Sequence, residues 1–243
     1  RTIQENLQGI ECLSGIPGKV GAAPIQNIGA YGQELKDTFQ KLTAYDFKKN
    51  KFVTIDNQGC QFGYRESMFK KPRNRGRYVI VDLTLKLFKG KLPSISYESL
   101  EEYLTKKEIM NPSVQEVRDA VLALRGQKID DPRVLGNAGS FFKNPIVDRD
   151  VLSRLKRAYH NIPYYELVDG KVKLFAGWLI EKAGWKGKTF KNARISEKSA
   201  LVITNPEGRA TAKEIRELSE VISKDVYKKF KVKLEPEVQF IGF

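Results

Sequence analysis

The stretch between residues 15 and 32 limits the folds open to this chain more than any other. It carries five glycines and two prolines. Proline lacks a backbone N–H and glycine weakens regular structure, so the stretch predicts neither a regular helix nor an inner strand. Its spacing matches neither the dinucleotide fingerprint GxGxxG nor the phosphate loop GxxxxGK[ST]. The backbone either lies against a planar ligand, with its amides as donors, or forms a packed structural loop.

The patterns on either side of this stretch predict an α+β chain. Alternating apolar residues indicate two strands around a turn at residues 48–50 and a further strand over residues 78–88. Capping boxes at Ser113 with Glu116 and at Thr211 with Glu214 predict the starts of two helices, and Gly126 is expected to end the first. Residues from about 130 to 228 hold enough helices and strands for a second α+β domain.

Composition narrows the classes of function. A net charge of +14 suits a polyanionic partner, which could be nucleic acid or a small nucleotide or diphosphate. We see no basic stripe interleaved with aromatic residues, so nucleic-acid binding is not predicted. No apolar run approaches the ~18 residues of a membrane span. Two cysteines, Cys12 and Cys60, and a single histidine predict neither a zinc site nor a disulfide framework. Both cysteines are expected to pack in a hydrophobic core. The protein is expected to work in a reducing compartment.

The stretch from residue 135 to residue 145, Leu-Gly-Asn-Ala-Gly-Ser-Phe-Phe-Lys-Asn-Pro, is the best candidate for a site. Small residues before Ser140 allow close approach of a ligand, and Gly139 can adopt positive φ. The two phenylalanines can exclude water, while Lys143 and Asn144 add a charge and an amide. The stretch is either a tight loop with a solvated serine or part of a catalytic centre.

Four other polar residues each have a structural interpretation, and Arg65 and Glu237 also have a functional one. Arg65 follows an aromatic residue beyond a loop, and is either a surface residue or a planar fork for a carboxylate. Arg125 and Lys128 lie near a helix end, where cations relieve the helix dipole. Two acids flank Pro236, and one of them, Glu237, is either an edge-strand gatekeeper or a catalytic group.

Six stretches, taken together and in order, resemble one family. They are Ser-Gly-Ile-Pro-Gly-Lys-Val-Gly from residue 14, Pro-Ile-Gln-Asn-Ile-Gly-Ala-Tyr-Gly-Gln-Glu from residue 24, Phe-Gly-Tyr-Arg-Glu-Ser from residue 62, the glycine-serine motif from residue 136, Ala-Gly-Trp-Leu-Ile-Glu from residue 176 and Leu-Glu-Pro-Glu-Val from residue 234. The chain resembles the UDP-N-acetylenolpyruvoylglucosamine reductase (MurB) family, flavoenzymes of bacterial peptidoglycan precursor synthesis. Tyr97 fits the type I subgroup.

The resemblance implies a fold and a domain organisation. Residues 1–128 are expected to be the second subdomain of an FAD-binding type-2 (PCMH/VAO-like) α+β domain, whose first subdomain is missing from this chain. Residues 129–228 are expected to form the MurB C-terminal α+β substrate-binding domain. Residues 229–243 are expected to be a return strand that carries the catalytic Glu237.

The resemblance also implies an activity and its residues. The expected reaction is the NADPH- and FAD-dependent reduction of the enolpyruvyl group of UDP-N-acetylglucosamine enolpyruvate to UDP-N-acetylmuramate. Ser140 would donate the proton, and Arg65 and Glu237 would hold the substrate carboxylate and stabilise the enol. The expected substrate-binding residues are Tyr97, Arg125, Lys128 and Asn144. The expected cofactor-binding residues are Ile16, Pro17, Gly18, Ala22, Ile25, Gly29, Ala30, Tyr31 and Ile80.

The expected partners are therefore a UDP-sugar and NADPH, with FAD bound, no metal, no nucleic acid and no membrane insertion. The expected protein is a monomer in the bacterial cytoplasm. Three alternatives stay open at this point. One is another flavoprotein of the same fold that acts on a different substrate, and another is a basic, non-catalytic module that binds an anionic nucleotide or nucleic acid. The third is a folded substrate domain that binds the UDP-sugar but does not hold FAD.

Overall fold

The computed structural model of the protein describes residues 1–90, 93 and 95–242. The chain divides into two compact units, Arg1–Arg125 and Gly126–Phe243. Each unit buries its own apolar side chains, and the boundary falls inside one helix. The assignment of cofactor binding to the first unit and substrate binding to the second stays a prediction.

Among its described residues, the first unit contains short strands, one three-stranded sheet and two longer helices. Its strands are β1 (Leu7–Gln8), β2 (Gly29–Ala30), β3 (Gln33–Glu34), β4 (Phe39–Asp46), β5 (Lys51–Asp56), β6 (Tyr78–Leu85) and β7 (Phe88–Lys89). Its helices are α1 (Asn57–Cys60), α2 (Glu98–Lys106) and α3 (Val114–Lys128). Short 3₁₀ helices span Glu11–Leu13, Val20–Ile25, Leu35–Asp37, Met68–Lys70 and Pro72–Asn74.

The three-stranded sheet has the antiparallel order β5-β4-β6. It confirms the predicted strand pair and the predicted strand after it. Side chains alternate across a strand, so Leu42 and Ala44 of β4 are fully buried on the core face. On the opposite face, Phe52 of β5 and Val79 of β6 lie across from Tyr45 and are exposed. The glycine-rich stretch forms a 3₁₀ helix and strand β2, which pairs with β3 just beyond it, and contains no regular α-helix or inner strand.

The helices α2 and α3 build a separate apolar cluster in the first unit. The predicted capping box opens α3: the Glu116 N–H donates to Ser113 Oγ at 3.2 Å, and the Ser113 N–H donates to Glu116 Oε2 at 2.7 Å. The bonds that the Ser113 N–H and the Ser113 hydroxyl donate to Glu116 Oε2 lower the pKa of the Glu116 carboxyl. The predicted end at Gly126 is wrong, because α3 continues to Lys128. Gly126 does not adopt the left-handed conformation of a glycine cap there.

The described part of the second unit contains two sheets and three helices. Its strands are β8 (Gly136–Ser140), β9 (Ile146–Val147), β10 (Tyr164–Glu166), β11 (Val172–Leu174), β12 (Thr189–Phe190), β13 (Ala193–Ile195) and β14 (Val202–Asn205). Its helices are α4 (Arg149–Ala158), α5 (Ala176–Lys182) and α6 (Ala212–Phe230). The sheets have the antiparallel orders β12-β13-β14-β8 and β10-β11-β9.

The core of the second unit lies around α5 and α6. Leu218, Ile222 and Val226 of α6 are fully buried, and the predicted capping box of Thr211 and Glu214 opens this helix. Both tryptophans of the chain belong to this unit and pack against its core. The indole N–H of Trp185 donates to Asp225 Oδ2 at 3.0 Å.

Both cysteines pack in the first unit as predicted. Cys12 and Cys60 are free and almost fully inaccessible. Burial raises the pKa of each thiol to about 12, so the reactive thiolate is disfavoured at neutral pH. Among the helices of the described residues, none has the length and apolar character needed to cross a membrane.

Candidate active site

Ser140 is the last residue of strand β8. The sequence allowed a tight loop here, but the structure places Ser140 in a sheet, opposite Val202 of β14. Gly139 has φ of +69° and no heavy atom within 4 Å of the position of a Cβ, so this backbone is open to a neighbour. Phe141 and Phe142 are buried in the core immediately after the exposed serine. The strand and the two aromatic anchors therefore fix the backbone that presents the Ser140 hydroxyl.

The segment carrying Glu237 runs alongside the residues that follow Ser140. The Glu237 N–H donates to the carbonyl of Phe141 at 2.8 Å, and Phe142 and Pro236 form an antiparallel bridge. The predicted return strand is therefore wrong as a regular strand, since the described residues after α6 pair only through this isolated bridge. The structure nevertheless brings the backbones of Ser140 and Glu237, two predicted catalytic residues, into adjacent segments of one unit.

Two predicted substrate-binding residues, Asn144 and Lys128, also belong to the second unit. Asn144 accepts, through Oδ1, a hydrogen bond of 2.9 Å from the N–H of Ala176, the first residue of α5. This contact orients the amide of Asn144 at the start of that helix. Lys128 is the last residue of α3 and is exposed.

Arg65, the third predicted catalytic residue, belongs to the first unit and has an unusual backbone. Its φ is +54°, a left-handed conformation that non-glycine residues rarely adopt. Its guanidinium donates to the carbonyl oxygen of Gly29 and lies 3.8 Å from Glu34 Oε1. Its own carbonyl accepts a 3.0 Å hydrogen bond from Lys70 Nζ. A guanidinium oriented by Gly29 and Glu34 suits the binding of a carboxylate better than a loose surface arginine does.

Sequence reasoning missed two residues that hold Arg65 in place. The side-chain amide of Asn27, which is fully buried, donates to Glu34 Oε2 at 3.1 Å and to the carbonyl of Gly63 at 3.0 Å. Glu34 also pairs with Lys36 Nζ at 2.7 Å. Both residues lie within residues 24–34, one of the six stretches on which the family resemblance rests. The available signal was the single carboxylate of this glycine-rich segment, together with its amide side chains.

Tyr31, Tyr97 and Arg125, predicted to bind cofactor or substrate, gather in the first unit. The rings of Tyr31 and Tyr97 meet edge to face, with centroids 5.4 Å apart. Burial raises the pKa of the Tyr31 hydroxyl, and the nearby Arg125 opposes this shift. Burial likewise lowers the pKa of Arg125. A partly buried guanidinium near the Tyr31 phenol is a candidate anion-binding group.

An apolar cavity of about 350 Å³ lies in the first unit. Four predicted cofactor-binding residues line it, namely Ile16, Pro17, Gly18 and Ala22. Gly18 has φ of +116° and no heavy atom within 4 Å of a Cβ position, which leaves space at the wall. The other predicted cofactor residues are not among the described residues that line this cavity. Ile25 and Ile80 pack against the apolar cluster that contains Leu42 and Ala44. Gly29 and Ala30 form β2, and Tyr31 follows that strand.

The described residues contain no cluster of histidine, cysteine, aspartate or glutamate side chains that could hold a metal ion. The polar groups that the structure gathers are instead a hydroxyl, carboxylates, guanidinium groups and phenols. These are groups suited to proton transfer and to binding anions.

Comparison with known proteins identifies relatives over nearly the whole chain. Residues 127–241 match the family model of the UDP-N-acetylenolpyruvoylglucosamine reductase C-terminal domain. A protein named UDP-N-acetylenolpyruvoylglucosamine reductase from Pseudomonas aeruginosa is 44% identical over 236 residues, which are 97% of this chain and 69% of that protein. The protein of the same name from Dechloromonas aromatica is 43% identical over 242 residues, which are 99% of this chain and 72% of that protein.

A solved structure supports the fold. The crystal structure of UDP-N-acetylenolpyruvylglucosamine reductase (MurB) from Thermus caldophilus matches with a TM-score of 0.64 at 23% identity, covering 98% of this chain and 66% of that chain. The α+β fold with a MurB C-terminal domain is thus confirmed, and so is the predicted family. The chain belongs to the UDP-N-acetylenolpyruvoylglucosamine reductase family, oxidoreductases that act in peptidoglycan precursor synthesis.

Proposed function

We propose that this chain reduces the enolpyruvyl double bond of UDP-N-acetylglucosamine enolpyruvate to give UDP-N-acetylmuramate, with FAD bound and NADPH as the source of hydride. Family membership supports the reaction. The observation that carries the assignment to residues is the exposed Ser140 hydroxyl, presented by a strand end whose backbone neighbours the Glu237 segment.

The chemistry explains why these residue types are needed. Hydride addition to one carbon of the double bond leaves negative charge on the other carbon, beside the substrate carboxylate. That charge needs a stabilising group, and the carbon then needs a proton. Ser140 donates the proton from its hydroxyl. Arg65 binds the carboxylate through its guanidinium, and Glu237 polarises the developing enol.

The first unit fits the isoalloxazine ring system of FAD. A mostly apolar cavity of about 350 Å³ falls within the range of small-molecule sites. Ile16, Pro17, Gly18 and Ala22 would contact the ring system there, and residues 1–128 would form part of an FAD-binding type-2 domain. We keep Ile25, Gly29, Ala30, Tyr31 and Ile80 as further cofactor contacts. When bound, FAD supplies the hydride that it has received from NADPH.

The remaining residues would hold the UDP part of the substrate. Tyr97 and Arg125 combine an aromatic face with a partly buried cation. Lys128 would pair with a phosphate, and the amide of Asn144 would donate a hydrogen bond. Residues 129–228 would form the substrate-binding domain, with Glu237 reaching the substrate from the segment 229–243. We further propose a monomer in the bacterial cytoplasm that does not use nucleic acid as a partner.

The test compares two half-reactions in the purified chain and in Ser140→Ala. Flavin absorption bands of the purified protein first establish how much FAD is bound. The Ser140→Ala variant should lose reduction of the enolpyruvyl double bond, measured by mass spectrometry of the sugar product, by about 100-fold or more. NADPH oxidation should stay close to that of the unchanged protein, because it needs no proton from Ser140.

The matched control is Ser153→Ala, which removes an exposed hydroxyl from α4 in the same unit. It should leave both half-reactions unchanged. Equal loss of both half-reactions in Ser140→Ala would exclude Ser140 as the proton donor. A flavin-loaded chain that oxidises NADPH but never reduces the UDP-sugar would contradict the proposed reaction itself.

A further inference from the structure

We propose that Lys143 and Glu235 are positioning residues that fix the pairing register between the Ser140 strand and the Glu237 segment. The proposal rests on the proposed function, because it concerns the relative placement of two residues of that reaction. Neither Lys143 nor Glu235 reacts in this scheme.

The pairing has a definite register. The Lys143 N–H donates to the carbonyl of Glu235 at 2.9 Å, and the Glu237 N–H donates to the carbonyl of Phe141 at 2.8 Å. These two bonds flank the bridge between Phe142 and Pro236. Pro236 therefore occupies a non-hydrogen-bonded position, where an antiparallel ladder asks for no N–H from it.

This pairing is short and needs a further constraint. One bridge flanked by two hydrogen bonds is a small ladder. Because side chains alternate with period 2, a slip of one residue would turn Glu237 to the opposite face of the segment. The Ser140 strand would keep its place, since it also pairs with β14. The placement of Glu237 relative to Ser140 would then change.

The ion pair supplies that constraint. Lys143 is only 7% exposed, and its ammonium lies 2.6 Å from Glu235 Oε1. A buried ammonium is costly without a charge partner. Lys143 and Glu235 are directly opposite in the ladder, so their side chains share one face only in the observed register. A one-residue slip would turn Glu235 away and leave Lys143 without this carboxylate.

The same pattern places Glu237 on the side of Glu235, since the two acids are two residues apart. The register that places Lys143 opposite Glu235 therefore also fixes the face on which Glu237 lies. The two side chains of the pair differ in exposure, which is useful for an experiment. The side chain of Glu235 is 69% exposed, so changing it disturbs no packed core.

The experiment uses the full chain with Glu235→Gln and Lys143→Met, alone and combined, and with Lys143→Arg as the conservative variant. Amide hydrogen exchange at Lys143 and Glu237 reports on the ladder directly. We expect both amides to exchange about tenfold faster in Glu235→Gln, the scale of losing one charge-assisted hydrogen bond. We expect kcat for double-bond reduction to fall by a similar factor, with KM and NADPH oxidation unchanged. Lys143→Arg keeps the positive charge, so it should leave the exchange of both amides and kcat close to the values of the unchanged protein.

The matched control is Glu166→Gln, which removes the exposed pair with Arg149 in the same unit. It should alter neither amide nor either half-reaction. Unchanged exchange at Lys143 and Glu237 in Glu235→Gln would overturn the proposal. Faster exchange with unchanged kcat would overturn it too, because the pair would then be structural only. Failure of the unchanged protein to reduce the sugar would instead contradict the proposed function, and the exchange data would still decide the role of the pair in the register.

Discussion

At the scale of single residues, the candidate site depends on conformations that have no local signature in the sequence. Arg65, Asn27 and Tyr31 all have positive φ. Such backbones cost of order 1–3 kcal/mol for a non-glycine residue and persist only where surrounding contacts impose them. The motifs therefore identified Arg65 as a candidate, whereas its fixation by Gly29, Glu34 and the buried Asn27 could not be predicted. Those contacts join segments that are far apart in the chain.

Gly29 provides a sharp test of how Arg65 is held. A Cβ at this position would lie 2.7 Å from Arg65 Nη1 and 3.0 Å from the Gln33 carbonyl oxygen. We expect Gly29→Ala to displace the guanidinium and to lower kcat/KM for the UDP-sugar by on the order of 100-fold. Steady-state kinetics with a check of melting temperature measures this effect. If kcat/KM stays unchanged, the close approach of Arg65 to β2 does not matter for the reaction.

Asp46 gives a prediction about pH. Its buried carboxylate receives bonds from Arg77 Nη2 at 2.6 Å and Nε at 2.8 Å. Chiefly through these bonds, the pKa of Asp46 falls to about 2, below the ~3.9 of an unfolded chain. A lowered pKa stabilises the fold above the unfolded value, and this contribution disappears as pH falls towards the folded value.

Asp46→Asn should therefore lower the melting temperature most above about pH 4, and the difference from the unchanged protein should shrink between about pH 4 and pH 2. Asp131→Asn is the control, because Asp131 also pairs with an arginine but both side chains are exposed. It should lower the melting temperature less. A difference for Asp46→Asn that grows as the pH falls would contradict the assignment.

At the scale of elements, local signals in the sequence predicted the helices better than the strands. The capping boxes before α3 and α6 were correct, because a cap is a local hydrogen-bond pattern. The strand β8 reads Gly-Asn-Ala-Gly-Ser and has no apolar alternation. It exists because β14 pairs with it, and such long-range pairing leaves no local trace. The end of α3 was missed because one glycine was interpreted as a cap.

That glycine gives the prediction at this scale. Gly126 lies within α3, adopts an ordinary φ and has no heavy atom within 4 Å of a Cβ position. Gly126→Ala should raise the free energy of unfolding by roughly 0.5–1 kcal/mol, because alanine loses less backbone entropy in a helix. Urea unfolding followed by circular dichroism measures this. A decrease would mean that this turn of α3 needs a conformation closed to alanine. The variant also serves as the glycine-to-alanine control for Gly29.

At the scale of the whole molecule, the charge is as informative as the fold. The chain carries 43 basic and 29 acidic side chains, which gives the net charge of +14. The α+β class could be predicted from patterns alone, but the family came from motifs, because composition fits several classes of anion binder. Net charge of this size destabilises a compact chain through self-repulsion, and salt screens that repulsion.

We therefore expect sodium chloride to raise the melting temperature between low and physiological ionic strength. Chloride and acetate at equal ionic strength should act alike if screening is the cause. A larger effect of one anion would indicate specific binding instead. A melting temperature that falls as salt is added would mean that attractive ion pairs outweigh the net repulsion.

The location of the aromatic residues in the second unit has a practical consequence. Trp178 and Trp185 are the only tryptophans in the sequence, and both pack against the core around α5 and α6. Intrinsic fluorescence excited selectively at indole therefore monitors residues of the second unit without any added label. Trp185 is held by Asp225 on α6, so its emission will follow the integrity of that helix. The chain thus contains its own optical probe for the unit that carries Ser140 and Glu237.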